Sequence, residues 1–360
     1  MKILYGVQGT GNGHISRARM MAKEFALLKN PSIELTFLFS GRDKNEFFDM
    51  ECFGDYLYRR GLSFETIDGK ISYFNTMINN NFLTILKDVI TLDVEQYDII
   101  ITDFEPITAW AGKLRNKTVI GIGHQSAFNY DIPKVSGSPL INLIMRYFSP
   151  ATISFGMHWH HFGNNILPPI IDNTVHRQQQ NDNQYILIYL PFEDQDKVTK
   201  LLNDFKEFHF IQYAPSITNQ MYHNVTRKKT CHHGFKKDLS AANAVFCNAG
   251  FELISECLAL QIPVLTKPVK GQFEQECNAK ALQKLGYATT IDSLNQQHIE
   301  QWLQGEKAVT KINYPNVAKA LVEMIVHQYP VNNELSSHLT QELWKQTQIT
   351  IADLGSGYVC

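Results

Sequence analysis

The chain has 360 residues, of which 44% are hydrophobic and 19% charged, a composition typical of a globular protein long enough for two domains. Its formal net charge of −2 excludes the broad basic field that drives nucleic-acid binding, so no nucleic-acid partner is expected. The six cysteines are scattered, the first residues form a predicted strand rather than a signal peptide, and no run of about 18 apolar residues occurs. These features predict a cytoplasmic protein.

The chain opens with an apolar strand, Lys2 to Val7, a loop rich in glycine up to His14, and a predicted helix from Ile15 to Leu28. A strand, a glycine loop and a helix in this order are typical of a Rossmann-like domain, so a dinucleotide site must be considered. The glycines are spaced G-x-G-x-G rather than G-x-G-x-x-G, and the second strand, Leu35 to Phe39, ends without an acid for a ribose. Arg42 could meet a 2′-phosphate, which leaves an NADP-binding protein as an alternative.

His14 lies at the tip of the glycine loop, just before a helix. An imidazole in that position can face a cleft and take a proton from a sugar hydroxyl, and the helix end disfavours its protonated form. The alternative is a histidine that only packs or caps the loop. Arg17, one turn further on, is predicted to contact a phosphate or an acceptor, or else to be a solvated helix residue.

Two helices are predicted next, Asp43 to Met50 and Asn75 to Val94. The second has Phe82, Ile85, Leu86, Val89 and Ile90 on a stripe that we expect to be buried.

Tyr97 to Thr102 is an unbroken apolar run, which predicts a buried parallel strand. It ends in Asp103 and Glu105, and acids at the carboxyl end of a parallel strand lie on the ligand side of an open α/β sheet. Asp103 could orient His14, and Glu105 is a rival as base or acceptor contact. Capping of the next helix would equally justify an acid at either position.

The strand Thr118 to Ile122 is followed by His124 and Gln125, and Ser138 to Phe148 is a short apolar segment. That segment could dock on a membrane surface to reach a lipid-linked acceptor, or could belong to the core. The histidines from His158 to His161 could suggest a metal site, but no nearby carboxylate or cysteine completes a ligand set, so no metal is predicted.

Linker composition from Gly163 to Pro169 places a domain boundary near Leu167, and a second series of apolar strands opens at Gln184. We therefore expect an N-terminal domain over residues 1–166 and a second domain over residues 167–330. Residues 331–360 form a last helix and a tail.

The most informative stretch runs from Asn248 to Ala279 (NAGFELISECLALQIPVLTKPVKGQFEQECNA). Gly250 lies between a predicted strand and a helix that begins near Phe251, and such a turn suits an anion, most naturally a diphosphate. Glu256 lies further along the same helix, where a carboxylate could accept hydrogen bonds from both hydroxyls of a ribose.

This pattern resembles the donor-binding half of nucleotide-sugar glycosyltransferases of the two-domain GT-B fold, most closely the MurG-like group. That resemblance implies that Gly250 meets the donor diphosphate, Glu256 the ribose, and Glu274 and Gln275, ahead of Asn278, the sugar. The first glycine loop is similar to the G-T-G-G-H loop of the group, with Asn12 inserted between its glycines.

The resemblance also implies that the last helix returns to the first domain and packs on it. The acceptor-binding residues would be Arg17, His124 and Gln125. The remaining donor-binding positions would be Gly11, Gly13, Phe235, Asn248, Phe251 and Glu252.

One loop departs from the group. Where MurG-like enzymes have a Gly-Gly-Ser turn, this chain has Pro191-Phe192-Glu193-Asp194-Gln195-Asp196. Acids beside a diphosphate are unfavourable without a cation, so phosphate contacts from this loop are in doubt.

The predicted fold is α/β, with two Rossmann-like domains facing across a cleft. The predicted function is inverting, metal-independent transfer of a sugar from a UDP-sugar to an acceptor hydroxyl, with no cofactor other than the donor. The acceptor would be a glycan or a lipid-linked compound, reached by peripheral contact with the inner face of the membrane. The alternatives are a UDP-sugar epimerase of the same fold and a non-catalytic nucleotide-sugar-binding protein.

Overall fold

A computed structural model describes residues 1–62, 66–67, 70–71, 82–137, 139–178, 184–307 and 309–351. Strands and helices alternate along most of the chain, as expected for α/β domains. The strands are β1 Lys2–Gln8, β2 Glu34–Ser40, β3 Leu57–Tyr58, β4 Thr66–Ile67, β5 Lys70–Ile71, β6 Ile99–Asp103, β7 Thr118–Gly123, β8 Ile153–Gly156, β9 Ile186–Tyr189, β10 Phe210–Ala214, β11 Gln220–Tyr222, β12 Val225–Lys229, β13 Ala244–Asn248, β14 Val264–Lys267, β15 Thr289–Thr290, β16 Thr310–Asn313 and β17 Gln348–Ile351. The helices are α1 Asn12–Leu27, α2 Phe82–Thr91, α3 Pro106–Leu114, α4 Pro139–Tyr147, α5 Gln195–Asn203, α6 His232–Ala241, α7 Phe251–Ala259, α8 Phe273–Leu285, α9 Gln296–Gln304, α10 Val317–His327 and α11 Asn333–Gln346.

The first sheet has the strand order β3-β2-β1-β6-β7-β8, and each neighbouring pair is parallel. Its central strands are buried, which explains their nearly continuous apolar sequences. The strand order reverses between β1 and β6. In such sheets a ligand crevice forms at this point, outside the carboxyl ends of the strands.

The second sheet has the order β11-β12-β10-β9-β13-β14-β15, parallel except for the edge pair of β11 and β12. Its strand order reverses between β9 and β13, so this half of the chain has a second crevice of the same kind. The prediction of two Rossmann-like domains facing across a cleft is confirmed by these two sheets.

The C-terminal segment contacts the first half of the chain. Trp344 of α11 donates its indole N–H to the carbonyl of Ile166 over 2.6 Å, and its ring lies against His161. Asn316, which caps α10, donates to Glu24 of α1 over 2.9 Å. One continuous hydrophobic cluster includes residues of both sheets. The boundary after residue 166 therefore remains a prediction, because packing continues across it.

Two local predictions are wrong. Asp43 to Met50 is not an α-helix, because Arg19 binds the carbonyls of Phe48 and Asp49 and only short 3-10 turns form at Lys44–Glu46 and Glu51–Phe53. On α2 the predicted buried stripe is wrong for most of its residues: Phe82, Leu86 and Ile90 are exposed, whereas Val89 is buried with Ile85 packed against its cluster.

Residues 75–81 of that predicted helix, residue 138 and the tail from residue 352 lie outside the described residues. Within the described part of the chain, no helix has the length and apolar character needed to span a bilayer.

Candidate active site

The two crevices face each other, and loops from both halves of the chain meet there. The first crevice is lined by the glycine loop after β1 and by the turn after β6, and the second by the loops after β9, β13 and β14. Direct contacts cross between them: Asn12 donates to the hydroxyl of Tyr189 over 3.1 Å, and Gln125 donates to Glu274 over 2.9 Å. The predicted site residues from both domains are therefore close enough to act together.

His14 and Asp103 form a hydrogen-bonded pair in the first crevice. His14 Nδ1 lies 2.7 Å from Asp103 Oδ1, and the Asp103 side chain is completely buried. Burial raises the pKa of Asp103, but the nearby charge of Arg17 and the contact with His14 outweigh it, so the net pKa lies below its usual value. Asp103 is thus a carboxylate at neutral pH, and it accepts the Nδ1 proton of His14.

This hydrogen bond decides which nitrogen of His14 can act as a base. With the proton held at Nδ1, the lone pair of the neutral ring is on Nε2, which lies 3.5 Å from Gln125 Nε2. The Oε1 atom of Gln125 is buried and has no hydrogen-bond partner among the described residues. A polar group in this position is available to a hydroxyl approaching His14.

Arg17 is 1% exposed, so it is neither a solvated helix residue nor open to a ligand in this structure. It donates to both oxygens of Asp103, Nε to Oδ2 over 2.7 Å and Nη2 to Oδ1 over 2.6 Å. Its Nη1 atom donates to Glu252 of α7, across the cleft. Gly13 makes room for this contact, because a Cβ atom there would overlap the Glu252 carboxylate.

The turn at Gly250 has the geometry expected for a ligand-binding loop. A Cβ atom at Gly250, or at Gly11 across the cleft, would meet no atom within 4 Å. Asn278 donates to the carbonyl of Ala249 over 3.0 Å and so fixes the backbone of the turn just before Gly250. The first backbone N–H groups of α7 follow, and a helix start of this kind suits an anion.

Side chains beside the Gly250 turn also hold its shape. Asn248 donates to the carbonyl of Lys267 over 3.0 Å, and its Oδ1 has no partner among the described residues. Gln275 accepts from the backbone N–H of Val269 over 2.9 Å and is buried, so it orders the loop after β14 and does not itself face the cleft.

The acids in the loop after β9 are accounted for. Lys267 and Glu193 form a buried ion pair at 2.7 Å, which places a cation beside the loop that departs from the MurG-like pattern. Asp194 caps α5 by accepting from two backbone N–H groups, and Asp196 pairs with Arg227 at 2.9 Å. These carboxylates therefore need no additional cation to be tolerated at this position.

Glu256 forms an ion pair with Lys236 of α6. Its side chain lines a pocket of about 270 Å³ that also includes Asp172, His176 and Tyr314. The Tyr314 hydroxyl is buried without a partner among the described residues. No residue of the Gly250 turn lines this pocket, which lies towards the C-terminal end of α7 at Ala259.

Phe235, a predicted donor-binding residue, is half-buried one residue before Lys236. Its ring packs edge-on against Tyr189 and Tyr213.

Besides Arg17 and Gln275, three more predicted site residues have side chains that do not face a ligand. Glu105 is completely buried and caps α3 by accepting from Ile107 N, Thr108 N and Thr108 Oγ1, at 2.7 to 3.0 Å, which favours its capping role over that of a base. Burial raises its pKa despite these bonds. His124 and Phe251 stack with ring centroids 4.0 Å apart inside the interface between domains.

His124 is also held at both ring nitrogens, by the Met157 carbonyl at 2.7 Å and by Asn278 Oδ1 at 2.6 Å. It has no free nitrogen for an acceptor, so its role is structural.

A second pocket, of about 230 Å³, opens beside the His14–Asp103 pair. Gln125 lines it together with Phe104, whose ring is stacked against His14 with centroids 6.5 Å apart. Lys113 and Arg146 also line it, and none of the described residues along its wall is acidic. This pocket can hold a ligand next to His14, and its two cationic side chains favour one with negative charge.

Sequence reasoning missed Lys236, Lys267 and Tyr189, which surround the predicted donor side. A signal existed for Lys267, since a lysine that closes an apolar strand lies at the ligand edge of the sheet. Among the described residues no three histidine, cysteine or acidic side chains come together as a metal site. In the histidine-rich segment, His158 is buried and its pKa is lowered well below the usual value by burial and by His124.

Two facing Rossmann-like domains with a glycine turn and a polar cleft between them are the architecture of the GT-B fold. The family model described as "Glycosyl transferase family 1" matches residues 1–305, and the chain belongs to that family. It is accordingly an enzyme that transfers a sugar from a nucleotide-sugar donor. No curated protein matches the sequence.

Solved structures agree with the fold. The glycotransferase of kitacinnamycin is 12% identical with a TM-score of 0.53, and the alignment covers 96% of this chain and 95% of that chain. SsfS6, a glycosyltransferase of Streptomyces sp. SF2575, is 12% identical with a TM-score of 0.52, covering 96% of each chain. MurG of Acinetobacter baumannii is 14% identical with a TM-score of 0.50, covering 96% and 99%. At this identity the likeness concerns the fold alone, and it agrees with the resemblance to the MurG-like group.

Proposed function

We propose that this glycosyltransferase is inverting and metal-independent, and that it moves a sugar from a UDP-sugar to an acceptor hydroxyl. The observation that carries the proposal is the 2.7 Å contact of His14 with the buried Asp103, across the cleft from the open turn at Gly250. A base on one side and an anion-binding turn on the other are the two parts that a direct displacement needs.

In this mechanism His14 Nε2 takes the proton of the acceptor hydroxyl while Asp103 stabilises the imidazolium that forms. The acceptor oxygen bonds to the anomeric carbon from the face opposite the diphosphate. The bond from that carbon to the diphosphate oxygen breaks, and the configuration inverts. The N-terminus of α7 stabilises the charge on the departing diphosphate, with a cation, Lys267, at the end of the neighbouring strand β14.

On the donor side, we assign the diphosphate to the backbone at Gly250 and Phe251, with Gly11 and Gly13 opposite. Glu256 would bind the ribose, the nucleobase of the donor would lie near Phe235, and Glu274 would bind the hydroxyls of the transferred sugar. Support comes from the open space at Gly250 and from the place of Glu256 on α7, the helix that begins at this turn. Arginine, lysine and backbone groups already neutralise or bind the neighbouring acids, which is why no metal or other cofactor is included.

On the acceptor side, we assign the pocket beside Gln125 to a glycan or a lipid-linked acceptor. Its two cationic side chains, Lys113 and Arg146, favour an acceptor that carries a phosphate or carboxylate. On α4, Leu143, Ile144 and Tyr147 are exposed large apolar side chains next to this pocket. Such a surface suits an apolar tail or peripheral contact with a membrane.

The donor assignment is tested by thermal unfolding with UDP, GDP, dTDP and NADP. UDP at about 100 times its dissociation constant should add roughly 2.7 kcal/mol to the stability of the wild type. Glu256→Ala should lose most of that gain, whereas Glu323→Ala, an exposed acid on α10, should keep it. Stabilisation by NADP and not by UDP would overturn the proposal.

The reaction is tested with UDP-sugars and with prenyl-phosphate and free glycan acceptors, using NMR to read the anomeric configuration of the product. We expect acceptor-dependent transfer with inversion, abolished in His14→Ala. Retention of configuration would contradict the mechanism. Conversion of the UDP-sugar to an isomer without any acceptor would instead identify an epimerase.

A further inference from the structure

Arg17 joins two carboxylates that come from different domains. It donates two hydrogen bonds to Asp103 at the end of β6 and one to Glu252 in the first turn of α7. Arg17 and Asp103 are completely buried, and the Glu252 side chain is 16% exposed. A buried guanidinium is costly unless its charge is paired, so both carboxylates matter to it.

The two-point contact fixes the orientation of Asp103. Because Arg17 Nε and Nη2 bind Oδ2 and Oδ1 separately, the carboxylate cannot rotate without breaking a bond. In this orientation Oδ1 faces His14 Nδ1. Arg17 Nη2 lies 3.0 Å from the same Nδ1, and both nitrogens point to the shared Oδ1. Arg17 thereby determines which oxygen of Asp103 His14 contacts and the angle of that contact.

The contact with Glu252 depends on how the two domains are docked. Glu252 reaches Arg17 past Gly13, where a Cβ atom would overlap the Glu252 carboxylate in this position. If the domains separated, Glu252 would leave with α7, and Arg17 would keep its contacts with Asp103 and His14 in its own domain. A free Glu252 carboxylate would also lie in the first turn of α7, where it would repel an incoming diphosphate.

We propose that Arg17 is a positioning residue that aligns the His14–Asp103 pair, and that closure of the donor domain brings the Glu252 carboxylate against Arg17 and so sets the charge around His14 for catalysis. This inference rests on the proposed function, in which His14 is the base. The charged groups around His14 are Asp103 and Arg17 from its own domain and, across the cleft, Glu252 and Glu274.

The experiment compares the pH dependence of kcat/KM for sugar transfer in the full-length wild type, Glu252→Gln and Arg17→Gln. Removing Glu252 takes away one negative charge close to Arg17 and His14, so the acidic limb of the profile should move to lower pH, with kcat reduced about tenfold. Removing Arg17 leaves the Asp103 charge uncompensated, so that limb should move to higher pH, and kcat should fall about 100-fold, the loss expected when a catalytic group is misplaced by about 1 Å.

Glu24→Gln is the matched control. Glu24 also lies on α1 and also accepts a hydrogen bond from the second domain, through Asn316, but it does not contact the His14–Asp103 pair. Its profile should coincide with that of the wild type. If Arg17→Gln fails to fold because Arg17 is buried, Glu252→Gln still provides the test, since Glu252 is part-exposed.

Two failures can be told apart. If His14→Ala transfers sugar as well as the wild type, the proposed base is wrong. If His14→Ala is inactive while the acidic limbs of Glu252→Gln and the wild type coincide, this inference alone is overturned, and Arg17 and Glu252 only stabilise the closed structure.

Discussion

The backbone conformation of Phe104 sends the neighbouring acids Asp103 and Glu105 to different environments. Both acids follow the same buried strand, so sequence reasoning could place either beside His14. Phe104 between them adopts φ +54°, in the left-handed region, and the two carboxylates go to different environments. One meets His14, and the other caps α3. This choice could not be predicted, because it depends on a backbone conformation that a phenylalanine rarely takes.

Asp103→Asn should lower kcat by about 100-fold or more, since general-base catalysis contributes at least that much and the amide no longer fixes the proton on His14 Nδ1. Steady-state kinetics at saturating donor would measure it. Asp98→Asn is a matched control, because Asp98 lies just before the other end of the same strand, where its carboxylate accepts from the backbone N–H of Lys2. A loss of less than threefold in Asp103→Asn would contradict the pairing.

Asp103 also predicts sensitivity of the fold to acid. Its pKa in the folded protein lies below the usual value of 3.8 because Arg17 and His14 outweigh burial. A carboxyl with a depressed pKa stabilises the fold above its unfolded pKa, and this stability is lost as the pH falls towards the folded value. The free energy of unfolding should therefore drop below about pH 4. Denaturant titrations at several pH values should show a smaller drop in Asp103→Asn.

At the scale of helices and strands, the sequence predicted those with a clear apolar pattern. The strands β1, β6 and β7 lie close to their predicted positions, and α7 begins at Phe251 as predicted. Gly286 ends α8 with φ +68°, a left-handed conformation that glycine favours. The strands β11 and β12 are polar and were missed, and β16 pairs with β17 from a distant part of the chain. Local periodicity carries no information on such distant partners.

The cap of α3 gives a prediction at this scale. Glu105→Ala removes the acceptor of two buried backbone N–H groups, so it should lower the free energy of unfolding by about 1–2 kcal/mol. Chemical denaturation would measure this loss. The activity of the folded fraction should change far less than in Asp103→Asn; a comparable loss of kcat would restore Glu105 as a catalytic candidate.

At the scale of the whole molecule, the interface between domains is built of side chains for which the sequence predicted other roles. His124 and Phe251 were expected at the acceptor and the donor, and they stack on each other. Trp159 is fully buried and donates to Ser255 of α7 over 2.8 Å. Which residues bind ligand and which bind the other domain could not be predicted, because both sets are polar or aromatic and follow the same strands.

Trp159→Ala should therefore weaken the docking of the domains as well as the core. We expect a loss of about 3–5 kcal/mol and, in calorimetry, a single unfolding transition that broadens or divides into two. Ser255→Ala, which removes only the acceptor of the indole N–H, should cost less and keep one transition. An unchanged transition in Trp159→Ala would show that the interface contributes little.

The continuous hydrophobic cluster has a consequence for the temperature dependence of turnover. Any opening of the cleft wide enough to separate His124 from Phe251 exposes apolar surface to water. Exposure of apolar surface to water raises the heat capacity of the protein. An opening step of that kind has an enthalpy that grows with temperature. Where opening limits product release, warming speeds the enzyme more steeply at each higher temperature, until unfolding intervenes.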